Sequence, residues 1–523
     1  MSNSTQLPPL IQSLLDPAAY PHPAERCQLI ETHISWVILA GDYVYKIKKP
    51  LNLGFLDFST LEKRRFYCDE ELRLNRRLAP AIYLDTVAIG GTPRHPELGA
   101  QTKVIEYAVK MRRFPQQAQL DRMLARGQLE KRHIDAFARM AAAFHQRVAM
   151  ADAQSEFGTP AQVWQPVAEN FSQIREHAGT AANETQLAGL EQWSRQRFER
   201  LTPLLKQRKE NGFIRECHGD MHLRNLAWIG DEPLAFDGIE FNPALRWIDV
   251  ISEVAFLVMD LQARKQPQLA QRFLNNYLEI SGDYEALQLL SFYLVYRALV
   301  RTKVAAIRSA QAGLEANGRE EARQEFAAYL ALAEGYTRPG RPAVIIARGM
   351  SASGKTTLTG PLLERLEAIR LRSDVERKRL FGLQAETDGR AAPGEGIYSS
   401  AASERTYDRL AQLAQKVLVA GYPVIIDAVC QHHAQRQCFT RLARERGIAC
   451  LIVEFTATPN ELRRRIVSRK KGASDADLAV LEHQLAGWQP LTAAEQALSL
   501  EVDTACWPDT DTLYKAVVTK LRT

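Results

Sequence analysis

Cysteine is scarce in this sequence and follows neither a metal nor a disulfide pattern. Cys27, Cys68, Cys217, Cys430, Cys438, Cys450 and Cys506 are the only seven in 523 residues, with no C-x-x-C pair among them. That spacing gives no support to zinc-ribbon or thioredoxin-type readings and fits reduced thiols in a cytoplasmic chain. Long apolar runs are missing as well. No stretch approaches the roughly 18 residues that a membrane helix needs, so no span is expected. Met1 to Tyr20 lacks a basic region followed by an apolar one, which argues against secretion. Excess charge is small too. The 67 Lys and Arg stand against 61 Asp and Glu, a net of +6 that marks no dedicated nucleic-acid binder. There is no internal repeat and no low-complexity tract.

What remains is an ordinary globular composition, 46% hydrophobic and 24% charged. A single core stops growing at roughly 250–300 residues, so the length predicts more than one domain. Thr337-Arg-Pro-Gly-Arg-Pro342 ends a run of helix formers and precedes the β-like Ala343 to Ala347. The expected division is 1–338, a linker at 339–342, and 343–523. Upstream, strand patterns at 35–39, 43–47 and 104–111 and a capping box at Ser59 to Glu62 predict a β-rich lobe over about 30–113. Helical patterns then predict an α-rich lobe over about 114–335. Downstream, strand and helix alternate, which predicts a parallel sheet with crossover helices.

Gly349-Met-Ser-Ala-Ser-Gly354-Lys355-Thr356 fits G-x-x-x-x-G-K-[ST] without mismatch, between a strand pattern and a helix pattern. In such a loop backbone N–H groups turn inward around phosphate oxygens, and the helix N-terminus adds positive charge. Candidate ATP-binding residues are Gly349, Ser351, Ser353, Gly354, Lys355, Thr356 and Thr357. Thr356 and the strand-ending acid Asp427 are candidates for Mg²⁺. Leu371-Arg-Ser-Asp374 ends a second strand pattern in an acid, which is either a base for an acceptor hydroxyl or a helix N-cap. Six basic residues crowd Arg463 to Lys471, with Arg465 and Arg469 on one helix face. They are read as phosphate-facing arginines, a solvated face or a nucleic-acid patch.

These motifs resemble the small P-loop kinases that phosphorylate hydroxyls, such as gluconate, shikimate and polynucleotide kinases and chloramphenicol phosphotransferase. The resemblance implies an α/β P-loop fold, Asp374 as base, and Arg465 with Arg469 as lid arginines.

A second constellation lies upstream. His218-Gly-Asp220 is followed by Asn225 and then by Phe236-Asp237-Gly238, the spacing of H-R-D, Asn and D-F-G in protein kinases. Asp220 would prepare an acceptor hydroxyl, while Asn225 and Asp237 would hold Mg²⁺. H-G-D resembles the aminoglycoside phosphotransferase and choline kinase branch, which implies an α+β bilobal kinase-like fold. That resemblance makes Lys46 the phosphate-binding lysine, with Lys48 as rival. It makes Glu71 or Glu70 the partner, and Val109 to Arg113 the adenine hinge. The segment Glu31 to Ser35, where a glycine-rich loop belongs, has no glycine. The combined expectation is a bifunctional ATP- and Mg²⁺-dependent phosphotransferase acting on small hydroxyl compounds. The alternatives are an ATP-binding regulator or toxin-type protein with one degenerate half, and a nucleic-acid 5′-hydroxyl kinase.

Overall fold

A computed structural model describes residues 7–54, 56–178, 183–311, 314–385, 387, 396–468, 476–507 and 509–522. Two compact units share the chain. One is built from Met1–Asn170 and Thr202–Asp260, the other from Phe171–Leu201 and Leu261–Thr523.

The first unit is organised on six antiparallel strands, β1 (Cys27–Glu31), β2 (Ser35–Ala40), β3 (Tyr43–Lys48), β4 (Tyr83–Thr92), β5 (His95–Leu98) and β6 (Glu106–Arg112), in the order β1-β2-β3-β6-β4-β5. Side chains alternate between faces along a strand. Ile38, Tyr45, Ile47, Ile89 and Ala108 pack on one side with Ile11, Leu14 and Tyr20. On the other side Val109, Ile82, Tyr83 and Cys68 form a second core with the helix Leu61–Asn75. Lys46 is in register with Val109, and a strand period of two puts Lys48 on the same helix-covered face. The helix cap is Thr60, whose hydroxyl accepts from Lys63 N, one residue later than the capping box predicts. Two short antiparallel pairs follow: β7 (Ile214–Glu216) with β10 (Trp247–Asp249), and β8 (Leu226–Ile229) with β9 (Glu232–Ala235). They bracket the loops that hold Asp220 and Asp237.

The second unit centres on a parallel sheet of β11 (Ala343–Arg348), β12 (Ile369–Arg372), β13 (Val424–Asp427), β14 (Ala449–Thr456) and β15 (Ser499–Asp503), ordered β12-β13-β11-β14-β15. Every residue of β11 is buried, as its near-continuous apolar run requires of a strand covered on both faces. The helices Lys355–Leu366 and Thr510–Arg522 contribute Leu358, Leu362, Leu513 and Val517 to the same core.

The division expected near residue 340 falls inside this unit. The helix Pro267–Ser281 lies along β12. Gln271 Nε2 and Asn275 Nδ2 donate to Ala368 O at 2.8 and 3.0 Å, and Asn275 Oδ1 accepts from Arg370 N at 2.9 Å. These buried carboxamides reproduce the bonds of a neighbouring strand, so helices upstream of the linker are counted with the sheet. The proline- and glycine-rich linker marks a change of pattern in sequence rather than a boundary between the compact units. Among the described residues, no helix is long and apolar enough to cross a membrane.

Candidate functional site

Two sites are assembled, one in each unit. In the first, β3 delivers both lysines to a single acid on the facing helix. Lys46 Nζ lies 2.8 Å from Glu71 Oε1 and 2.6 Å from Asp237 Oδ1. Lys48 Nζ lies 2.7 Å from Glu71 Oε2 and also bonds Glu240. Glu71, not Glu70, is therefore the partner; Glu70 pairs with Arg73 and Arg246 instead. Burial pushes the Glu71 carboxyl up, but the ammonium groups of Lys46 and Lys48 outweigh burial and hold it below the usual carboxylate range. Burial also pushes Glu240 up, and Lys48 offsets this incompletely.

Lys48 and Glu71 are fully buried, so each charge depends on its partners for solvation. Glu71→Ala leaves Lys48 with Glu240 alone, and a loss of about 3 kcal/mol is expected in denaturant unfolding. The sign with pH follows from the lowered Glu71 value. Its contribution is complete at neutral pH and drains away as the pH falls through that value. The difference between wild type and Glu71→Ala therefore narrows in acid.

Asp220 and Asp237 are held by a backbone frame. Gly219 adopts φ +87°, and a Cβ there would sit 2.9 Å from Leu245 O. Glycine is required at this point, which accounts for H-G-D in place of H-R-D. Gly219 N donates to Glu253 Oε1 at 2.6 Å. His218 Nδ1 accepts from Asp220 N at 3.3 Å, so its Nε2 donates to Phe236 O at 3.0 Å. The histidine is a neutral strut between the two acidic loops, and burial lowers its pKa accordingly. Asn225 Nδ2 donates to Asp220 Oδ2 at 2.8 Å. Asp237 has φ +61°, a costly conformation for a side-chain-bearing residue. Tyr83 Oη and Asn75 Oδ1 hold it by accepting from Asp237 N and Gly238 N at 3.0 and 2.8 Å. Lys46, Glu71, Asp237 and Glu240 thus form one linked polar group, and Asp220 with Asn225 a second, tied to it by His218. The three-residue turn between β1 and β2 is closed by Thr32, whose Oγ1 accepts from Ser35 N at 2.9 Å.

In the second unit the phosphate loop joins β11 to the helix Lys355–Leu366. Lys355 Nζ donates to Gly349 O and Met350 O at 2.6 and 2.9 Å. Thr356 Oγ1 donates to Asp427 Oδ2 at 2.8 Å, which brings the two predicted Mg²⁺ residues together. Ser353 Oγ is buried without a hydrogen-bond partner, an orphan acceptor and donor that a phosphate oxygen would satisfy. Thr357 is exposed in the first helical turn. Asp374 follows β12 as the second residue of the helix Ser373–Leu380 and makes no cap bond, so the N-cap reading is not what the helix uses.

The basic cluster divides. Arg463 pairs with Glu482, and Arg464 with Glu461, so both are neutralised locally. Arg465 turns inward, donating to Thr504 O at 2.7 Å and Ala352 O of the phosphate loop at 3.4 Å. Arg469 lies outside the described residues.

Several residues near these sites had no sequence signal. Gln484 is buried against the phosphate loop, accepting from Ser351 N at 2.8 Å and donating to Ser351 Oγ at 3.0 Å. Trp507 carries the Arg465 guanidinium 5.2 Å from its ring, and its edge lies 2.8 Å from where a Cβ on Gly354 would be. His145, Cys217 and Glu253, far apart in sequence, are buried together with donor atoms within 4.8 Å of one another. Each already has a partner: His145 Nε2 meets Glu253 Oε2 at 2.8 Å, and Cys217 Sγ meets Ile248 O at 3.7 Å. Trp228 and Trp247, both half-buried, pack on His133 and Phe157.

A family model described as an AAA domain matches residues 344–491. Among solved structures, amicoumacin kinase hAmiN is 14% identical with a TM-score of 0.38, over 62% of this chain and 92% of that one. The APS kinase CysC of Mycobacterium tuberculosis is 17% identical with a TM-score of 0.26, over 35% of this chain and 99% of that one. The uncharacterized protein Rv2004c of Mycobacterium tuberculosis is 31% identical over 464 residues, which span 88% of this chain and 90% of that protein. A counterpart in Mycobacterium bovis, Mb2027c, matches to the same extent. The chain belongs to the family of these mycobacterial proteins.

Proposed function

We propose that the chain is an ATP-dependent phosphotransferase with two sites, each passing the γ-phosphoryl group to a hydroxyl of a small molecule. One observation carries the reading. Lys46, Glu71, Asp220, Asn225 and Asp237, spread over nearly 200 residues, converge in the combination that phosphoryl transfer needs.

In the upstream site Lys46 engages the phosphates of ATP, and Glu71 fixes its ammonium group. The acceptor hydroxyl donates its proton to the Asp220 carboxylate as its oxygen bonds to the γ-phosphorus. The bond from that phosphorus to the β–γ bridging oxygen breaks, and ADP leaves. Asn225 orients Asp220 through the 2.8 Å bond. In the P-loop site the loop amides and Lys355 hold the phosphates, Asp374 takes the acceptor proton, and Arg465 neutralises charge. Both candidate metal sets, Asn225 with Asp237 and Thr356 with Asp427, offer oxygen donors, which suit Mg²⁺. When bound there, such an ion would supply positive charge against the phosphates.

The local pairing of Arg463 and Arg464 supports small acceptors over an oligonucleotide. The test is ADP formation with wild-type protein over sugars, sugar acids, amino alcohols, nucleosides and oligonucleotides, each product checked by mass spectrometry. The reading expects a phosphorylated small hydroxyl compound. A product from oligonucleotides alone, or ATP turnover unchanged in an Asp220→Ala, Lys355→Ala double variant, would overturn it.

A further inference from the structure

The helix Pro267–Ser281 lies well before the phosphate loop in sequence and outside the matched AAA segment. Its last turn brings Glu279 to the P-loop site. Glu279 Oε1 accepts from Arg372 Nη1 at 2.8 Å, and Oε2 lies 3.8 Å from Arg370 Nη2. The Glu279 carbonyl accepts from Arg379. The Glu279 carboxylate thus engages two arginines of β12, and its backbone carbonyl a third from the Asp374 helix.

Arg370 carries the contact onward. Its Nη1 donates to Thr356 O at 3.1 Å and to Thr359 Oγ1 at 3.3 Å. Thr356 is the residue whose hydroxyl bonds Asp427. A buried guanidinium so placed needs an acid to offset desolvation, and Asp427 and Glu279 flank it with opposite charge. Without Glu279, Arg370 would lose its nearest acid, and its hold on Thr356 O and Thr359 would loosen. Further contacts of the helix, from Gln271 and Asn275, fix the backbone of the same strand.

We infer that Glu279 is a positioning residue of the P-loop site, supplied by the upstream half and acting through Arg370 on Thr356 and Asp427. The inference rests on the reading of the P-loop half as an ATP phosphotransferase. The P-loop site would then draw part of its support from a helix that lies upstream of residue 340 in sequence but within its own compact unit.

The experiment uses the full chain in an Asp220→Ala background, so that P-loop turnover is read alone. Outer-shell partners of metal-binding groups typically contribute 10- to 100-fold. In Glu279→Gln, kcat is expected to fall about tenfold, and the Mg²⁺ concentration for half-maximal rate to rise. KM for ATP should change by less than about twofold, because the loop amides are untouched. Glu279→Asp should recover most of the rate. Arg370→Lys should reproduce the loss, and the Glu279→Gln, Arg370→Lys double variant should be no worse than either single one. Unchanged kcat and Mg²⁺ dependence in Glu279→Gln overturns the inference. So does additive loss in the double variant, or a loss that tracks only the fraction of folded protein. Full turnover in Lys355→Ala would instead overturn the assignment of the P-loop site itself, a separate failure.

Discussion

In Asp220→Ala, phosphoryl transfer by the upstream site falls by roughly 10²- to 10⁴-fold, the range of a removed general base. ATP binding persists, because Lys46, Glu71 and Asp237 are linked to one another without Asp220. The fold persists too. Asp220 is partly exposed, and the frame that holds its loop is backbone and histidine rather than its carboxylate. Asp220→Asn is the sharper variant. It keeps the size and loses the proton acceptor, so kcat should fall while KM for ATP barely moves. The measurement is single-turnover transfer to an acceptor found by the screen, with Lys355→Ala present to silence the other site. Retained transfer in both Asp220 variants would show that Asp220 is not the base of the upstream site.

The second large effect is Lys355→Ala. Lys355 is buried beneath the loop and bonds Gly349 O and Met350 O, so its ammonium group is already aimed at the loop interior. Losing one preorganised charge of this kind costs roughly 10²- to 10³-fold in rate. Here KM for ATP should rise as well, since the lysine meets phosphate in the ground state and the transition state alike. ATP turnover measured in an Asp220→Ala background reads this directly. A rate within about twofold of the parent would show that the loop does not serve catalysis.

Much of this was legible in the sequence because the signals are local. The phosphate loop, H-G-D with its Asn, and the Asp at 237 are short motifs whose spacing is set by a single turn or strand. Other features depended on pairings that no local pattern records. A period of two puts Lys46 and Lys48 on one face but cannot say which faces Asp237 and which Glu240; the packing of the Leu61–Asn75 helix decides that. Glu71 prevails over Glu70 because one residue turns a helix by about 100 degrees, here from the core toward Arg246. Gln484, Trp507 and Glu279 come from segments far from the loop they touch, and nothing in their own neighbourhoods sets them apart. The break near residue 340 coincides with the start of the matched AAA segment, yet helices upstream of it are grouped with the P-loop sheet. Proline and glycine show where a helix stops, not which sheet the preceding helices serve.

The carboxamides of Gln271 and Asn275 have a practical consequence. They occupy hydrogen-bonding groups on the outer rim of β12, the last strand of its sheet. Cutting the chain at residue 340 would bare that rim together with the apolar groups beneath it. A naked rim of this kind recruits strands from other molecules. The P-loop half prepared by such a cut is therefore prone to aggregate, whereas a fragment that begins ahead of Pro267 keeps its own guard.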